Sequence, residues 1–101
     1  MFSKRKSFAT PNLVIYIGKN TKKEGPKIGF SVSKRVGNSV VRAKIKRRLR
    51  AISEEYVSSI SSDLALVFIA RNPIVNADFD TLKRDLAFLL NRGSCFSEEK
   101  Q

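Results

Sequence analysis

Residues 29–52 read GFSVSKRVGNSVVRAKIKRRLRAI, and the parsing of this stretch decides the fold. Ile28-Gly29-Phe30-Ser31-Val32-Ser33 alternates apolar with small or polar side chains, which predicts a half-buried strand. Lys34–Ser39 follows as a turn, with Gly37 read as a residue able to take positive φ. Asn38 or Ser39 is placed to cap a helix by accepting from its first free N–H groups. At about 100° per residue, Val41, Ile45, Leu49, Ile52, Tyr56 and Ile60 then fall on one stripe. The spacing predicts a helix over 39–59 with that stripe toward a core.

The rest of the helix is cationic. Arg42, Lys46 and Arg50 stand at i, i+4 and i+8 along one edge of the stripe; Lys44 and Arg48 line the other, and Arg47 points further out. Lys34–Arg50 holds eight Lys or Arg and no acid. Like charges at i, i+4 destabilise a helix by ~0.2–0.5 kcal/mol per pair, and cations in the first turns oppose its dipole. A solvated amphipathic helix is the plain alternative, but one-signed charge at this density favours a polyanionic partner.

The charge is uneven along all 101 residues. The net charge is +11, yet residues 1–50 carry fifteen bases against Glu24 alone, while residues 51–101 carry five bases against eight acids. The first half therefore reads as a binding surface and the second mostly as scaffold. An apolar share of 42% suffices for one modest core, so residues 1–101 read as a single domain. No apolar run reaches the ~20 residues of a membrane span, and Met1–Lys6 lacks the apolar centre of a signal peptide. The single cysteine, Cys95, implies a reducing compartment and a cytoplasmic location.

Around the central stretch, Leu13–Ile17 is β-branched and aromatic, a strand with Leu13, Ile15 and Ile17 on one face and Val14 and Tyr16 on the other. Phe2–Thr10 reads as irregular, and Gly18–Lys27 as a polar loop making a long hairpin to the next strand. Leu64–Ala70 is almost wholly apolar, which predicts a central strand covered on both faces. A second helix is expected over 78–91, capped by Asn76 or Asp78, with Phe79, Leu82, Leu86, Leu89 and Leu90 inward. Strand, strand, helix, strand, helix makes an α+β domain.

Catalytic chemistry is poorly represented. There is no histidine, so Cys95 has no imidazole to activate it. Asp78, Asp80 and Asp85 surround a helix start and read as structural. No phosphate-binding glycine loop, HExxH or paired-cysteine motif is present. Nucleic-acid binding is the stronger reading. Arg42, Lys46 and Arg50 recur every ~6 Å, and Val14, Tyr16, Ser31 and Ser33 lie on strands beside them, a mix suited to single-stranded RNA. Tyr16 reads equally as a core aromatic.

The run KRVGNSVVRAKIKRRLR, in its strand–turn–helix setting, strongly resembles the signature of the protein subunit of bacterial ribonuclease P, and the resemblance spans about Phe2 to Asn91. Two positions depart from the family pattern: Ala43 replaces an Asn and Lys44 an Arg. Lys44 keeps the charge without the planar fork. The resemblance implies a left-handed βαβ crossover for the basic helix, and a preceding N-terminal helix of which only Phe2 corresponds to the end. It implies binding of a catalytic RNA through Lys34, Arg35, Asn38, Arg42, Lys44, Lys46 and Arg47. It further implies contact with the 5′ leader of precursor tRNA in a cleft between sheet and helix, through Phe2, Val14, Tyr16, Ser31, Arg42, Lys46 and Arg50. By the same resemblance, magnesium is held mainly by the RNA, which performs the cleavage, and no obligate protein partner or membrane is involved. A structural RNA-binding protein of the ribosome, and a DNA binder with its helix in the major groove, are the rival expectations.

Overall fold

The computed structural model describes residues 6–19, 26–93 and 95; of Lys6 only the backbone is described. The elements are β1 (Lys6–Ala9), β2 (Leu13–Lys19), β3 (Lys27–Ser31), α1 (Ser39–Glu54), β4 (Leu64–Ala70) and α2 (Phe79–Arg92), with 3-10 turns at Val57–Ser59 and Asn72–Asn76. The sheet order is β1-β2-β4-β3. β2 is antiparallel to both β1 and β4, and β3 is parallel to β4. Helix α1 is therefore the crossover of a β3-α1-β4 unit within the expected α+β domain.

Both helices cover one face of the sheet. Leu13, Ile15 and Ile17 of β2 and Leu66, Phe68 and Ala70 of β4 point into the core. There they join Ile45, Leu49 and Ile52 of α1 and Leu82, Leu86, Leu89 and Leu90 of α2. Phe68 is fully buried, a gain of about 1.5–3 kcal/mol over leaving such a ring in water. It stacks on Phe30, with centroids 5.8 Å apart.

Several expectations need correction. β2 and β3 do not form a hairpin: β4 lies between them. The most apolar strand takes the central place because Leu66 and Phe68 need neighbours on both sides, and β3, with Lys27, Gly29 and Ser31, suits an edge. β4 is not covered on both faces either, since Val67 is 41% exposed. The segment read as irregular contains β1, joined to β2 through Thr10-Pro11-Asn12. That turn is fastened to α2: the Asp85 carboxylate accepts from the Thr10 hydroxyl at 3.2 Å and from the Asn12 amide at 2.9 Å. The basic helix stops at Glu54 rather than Ser59. Beyond it the bonds shorten to i+3, with Tyr56 N–H donating to Ser53 O and Ser59 N–H to Tyr56 O. Phe79 does not turn inward but is 40% exposed at the helix start.

Asp78 is the cap of α2, accepting from Thr81 N–H at 2.9 Å. Its carboxyl is held below the usual range, first by the Thr81 side chain and then by the Thr81 backbone N–H. Because the folded value is the lower one, this contribution is present above the unfolded carboxylate pKa and is lost as pH falls through the folded one. Between the helices, Lys83 Nζ meets Glu55 Oε1 at 3.1 Å on the surface, a pair of the exposed kind that adds little.

Candidate nucleic-acid interface

The turn 34–38 and helix α1 present the basic surface. Lys34, Arg35, Lys44, Lys46, Arg47 and Arg50 are all exposed, while Arg42 and Arg48 are half-buried at the edges of the apolar stripe. Arg42 is held: its Nε–H donates to Gly37 O at 3.1 Å. That bond fixes the guanidinium against the turn and leaves its terminal nitrogens outside this contact. Gly37, although free to do so, does not take positive φ. What the position requires is space, because a Cβ there would meet Val41 Cγ1 at 2.8 Å. The turn thus packs directly on the first turn of α1 and sets where Arg42 stands.

Asn38 is the cap of α1, its Oδ1 accepting from Val41 N–H at 3.0 Å. No acid lies in the first turn to complement the dipole, so the cap matters more than usual. Asn38→Ala is expected to cost about 1 kcal/mol of stability, read as a lowered urea midpoint in the RNA-free protein. Asn38→Asp keeps the cap and should leave the midpoint near its starting value.

The second group lies on the sheet face away from the helices. Register places Val14 beside Ile69, Tyr16 beside Val67, and Ser31 beside Ile69 from the other side. Val14, Tyr16 and Ser31 are therefore brought together on one uncovered face. Tyr16 is 40% exposed, so it is a surface ring and not a core aromatic. Phe2 lies outside the described residues, and with it the expected remnant of an N-terminal helix. The two groups do not enclose a slot between sheet and helix, because that space is filled by the core. β3, the edge strand that carries Ser31, is also in contact with α1. The sequence reading missed the β4 share of this face: Ala65, Val67 and Ile69 are hidden in an apolar run whose alternation only the register reveals.

Among the described residues no group of three or more His, Cys, Asp or Glu could hold a metal ion, and no helix is long and apolar enough to cross a membrane. The architecture is that of a small α+β protein with a strongly basic helix on one side and an uncovered sheet face on the other.

A family model described as Ribonuclease P matches residues 1–93. The chain is 36% identical to the Ribonuclease P protein component of Listeria innocua, over 98% of this chain and 83% of that one. It is likewise 36% identical to the corresponding component of Clostridium botulinum strain Alaska E43, over 99% and 85%. Its structure is similar to that of the Staphylococcus aureus RNase P protein, with a TM-score of 0.84 at 30% identity, covering 95% of this chain and 87% of that one. The Thermotoga maritima RNase P protein in complex with 1-(4-fluorophenyl)-2-thiourea superposes with a TM-score of 0.79 at 27% identity, covering 90% and 88%. The chain belongs to the ribonuclease P protein family. Its place is in tRNA 5′ processing as the protein component of the ribonuclease P complex, which decides against the ribosomal and DNA-groove readings.

Proposed function

We propose that this protein binds the catalytic RNA of ribonuclease P through the turn and helix α1, and the 5′ leader of precursor tRNA on the open face of its sheet. Lys34, Arg35, Asn38, Arg42, Lys44, Lys46 and Arg47 would meet the catalytic RNA. Val14, Tyr16 and Ser31, with Arg42, Lys46 and Arg50 along the near edge of the helix, would meet the leader. The observation that carries this reading is the gathering of Val14, Tyr16 and Ser31 on an uncovered face whose edge strand, β3, is in contact with the basic helix. An exposed ring beside a basic edge suits a single strand, since phosphates follow the cations and bases stack on the ring.

In this reading the RNA performs the cleavage, and the magnesium ions that hydrolysis needs would be held mainly by the RNA. The protein raises substrate affinity and offsets repulsion between two polyanions.

Tyr16→Ala tests the division of surfaces. Losing one stacked base costs roughly 1–3 kcal/mol, about one to two decades in binding constant. The loss is expected for precursor tRNA and not for mature tRNA, which has no leader, and the protein should still assemble with the catalytic RNA. Arg47→Ala should do the reverse, weakening assembly and keeping leader discrimination once the particle is saturated. Paired titrations of precursor and mature tRNA on each reconstituted particle read both. Equal weakening of the two tRNAs by Tyr16→Ala would mean that the leader lies elsewhere.

A further inference from the structure

The outer side of α2 carries an aromatic ring that the fold does not use. Leu82, Leu86, Leu89 and Leu90 face the core. On the opposite side Asp80, Arg84, Phe88 and Arg92 stand at i, i+4, i+8 and i+12, which makes one continuous ridge. All four are exposed. Phe88 is the most exposed aromatic among the described residues, at 49%, and Phe is only a middling helix former. Asp80 suits the positive end of the helix. Neither it nor Arg84 makes a hydrogen bond or salt bridge among the described residues. Arg92 is steadied by Phe8, its guanidinium carbon 5.5 Å from the ring centroid.

The order of residues along the ridge determines what fits it. A second α2 laid antiparallel across the first, about a two-fold axis at the level of Leu86, sets Asp80 against the partner's Arg92 and Arg84 against the partner's Phe88. Symmetry makes each of these pairs twice. One is an ion pair and the other a cation–π pair. Ala87 is small and half-buried. It leaves a shallow groove beside the ridge into which the other copy's ridge can settle. Lys83 is turned away, toward Glu55. RNA suits this ridge poorly, because Asp78 and Asp80 stand at one end of it. Arg and aromatic side chains without Lys are instead the composition of a protein contact.

We infer that the outer ridge of α2 is a two-fold contact between copies of this protein. The inference is independent of how RNA is assigned to α1 and the sheet. The contact leaves both surfaces free, since α2 packs against β1 and β2 on the covered face while α1 lies by β3. From Asp80 to Arg92 the ridge is roughly 18 Å long, short for a stable interface. Each copy also carries a net charge of +11, so the copies repel at long range. The dimer is therefore weak, and salt favours it by screening that repulsion.

The test is sedimentation equilibrium of the full chain without RNA, at up to about 1 mM protein and about 0.3 M salt. The parent should show a monomer–dimer equilibrium that follows concentration. Phe88→Ser should weaken it on the order of tenfold with the thermal midpoint unchanged. Asp80→Arg and Arg92→Asp should each weaken it to a similar degree. The double variant Asp80→Arg, Arg92→Asp should recover most of the association, because each copy again presents an Arg to an Asp. Arg92→Asp gives up the contact with Phe8, so thermal midpoints accompany every variant, and Phe88→Ser with Asp80→Arg decides alone where it unfolds. A parent that stays monomeric throughout overturns the inference. So does a dimer that Phe88→Ser and Asp80→Arg leave intact, or a folded double variant that associates no better than the single ones.

Discussion

Raising salt from about 50 to about 200 mM should weaken the affinity of this protein for ribonuclease P RNA by roughly 2.5 to 3 decades. The estimate follows from exposure on the basic surface. Of the eight Lys and Arg in Lys34–Arg50, six belong to the surface proposed for the catalytic RNA: the exposed Lys34, Arg35, Lys44, Lys46 and Arg47 and the half-buried Arg42. Each phosphate neutralised by such a group adds about −0.7 to −0.9 to the slope of log affinity against log salt, so six contacts give about −4 to −5. Arg50 is left out because it is assigned to the leader, and Arg48 because it is half-buried and assigned to neither RNA. Arg47→Ala should reduce the slope by roughly one contact's share. A binding titration over a series of salt concentrations reads both. A flat dependence would place an apolar or protein partner against α1 and remove the main argument for its charge.

The structure explains why so unfavourable a helix forms. Repelling cations at i, i+4 and an acid-free first turn oppose α1 as an isolated segment. Ile45, Leu49 and Ile52 hold it to the sheet, Asn38 caps it, and Gly37 lets the turn close against Val41. Three acids of the second half serve the scaffold. Asp78 caps α2, Asp85 ties α2 to the β1–β2 turn, and Glu55 pairs with Lys83. Charge asymmetry in the sequence thus corresponds to a division between a surface kept free of acids and a frame that uses them.

How much could be read beforehand depended on the range of the interaction. The basic helix, its cap, the strand before it and α2 are local patterns, and the sequence reading located them within a few residues. β1 escaped because Lys-Ser-Phe-Ala has little strand propensity of its own and is held by pairing with β2. The hairpin was wrong because the insertion of β4 between β2 and β3 is a long-range event that no local window contains. The one-sidedness of β4 was invisible for a different reason: Ala65, Val67 and Ile69 are apolar on the open face as well, so alternation gives no contrast. The helical part of the candidate site was legible as charge. The sheet part was legible at Val14, Tyr16 and Ser31 and lost at Ala65, Val67 and Ile69, where only register shows which side a residue faces.

Purified protein mixed with precursor tRNA and magnesium should give no specific cleavage, whereas the particle reconstituted with ribonuclease P RNA should release the leader. This is the largest effect expected, a difference between background and turnover. Water must be activated for phosphodiester hydrolysis, by a side-chain base or by metal ions. The chain contains no histidine. Asp78 and Asp85 accept the hydrogen bonds that cap α2 and fasten the β1–β2 turn, which fixes where their oxygens point. Cys95 is buried, away from any surface a tRNA could reach. Among the described residues no three acids or cysteines converge. A cationic surface can still contribute to the rate of the particle by drawing a negatively charged substrate onto a negatively charged catalyst, a contribution that should be greatest where magnesium is scarce. The measurement is therefore a magnesium titration of three mixtures: protein alone, RNA alone and the two together. Cleavage by the RNA should need more magnesium without the protein than with it, and the protein alone should be silent throughout. Site-specific release of the leader by protein free of RNA would sink the assignment of catalysis to the RNA and would locate a hydrolytic centre in this chain.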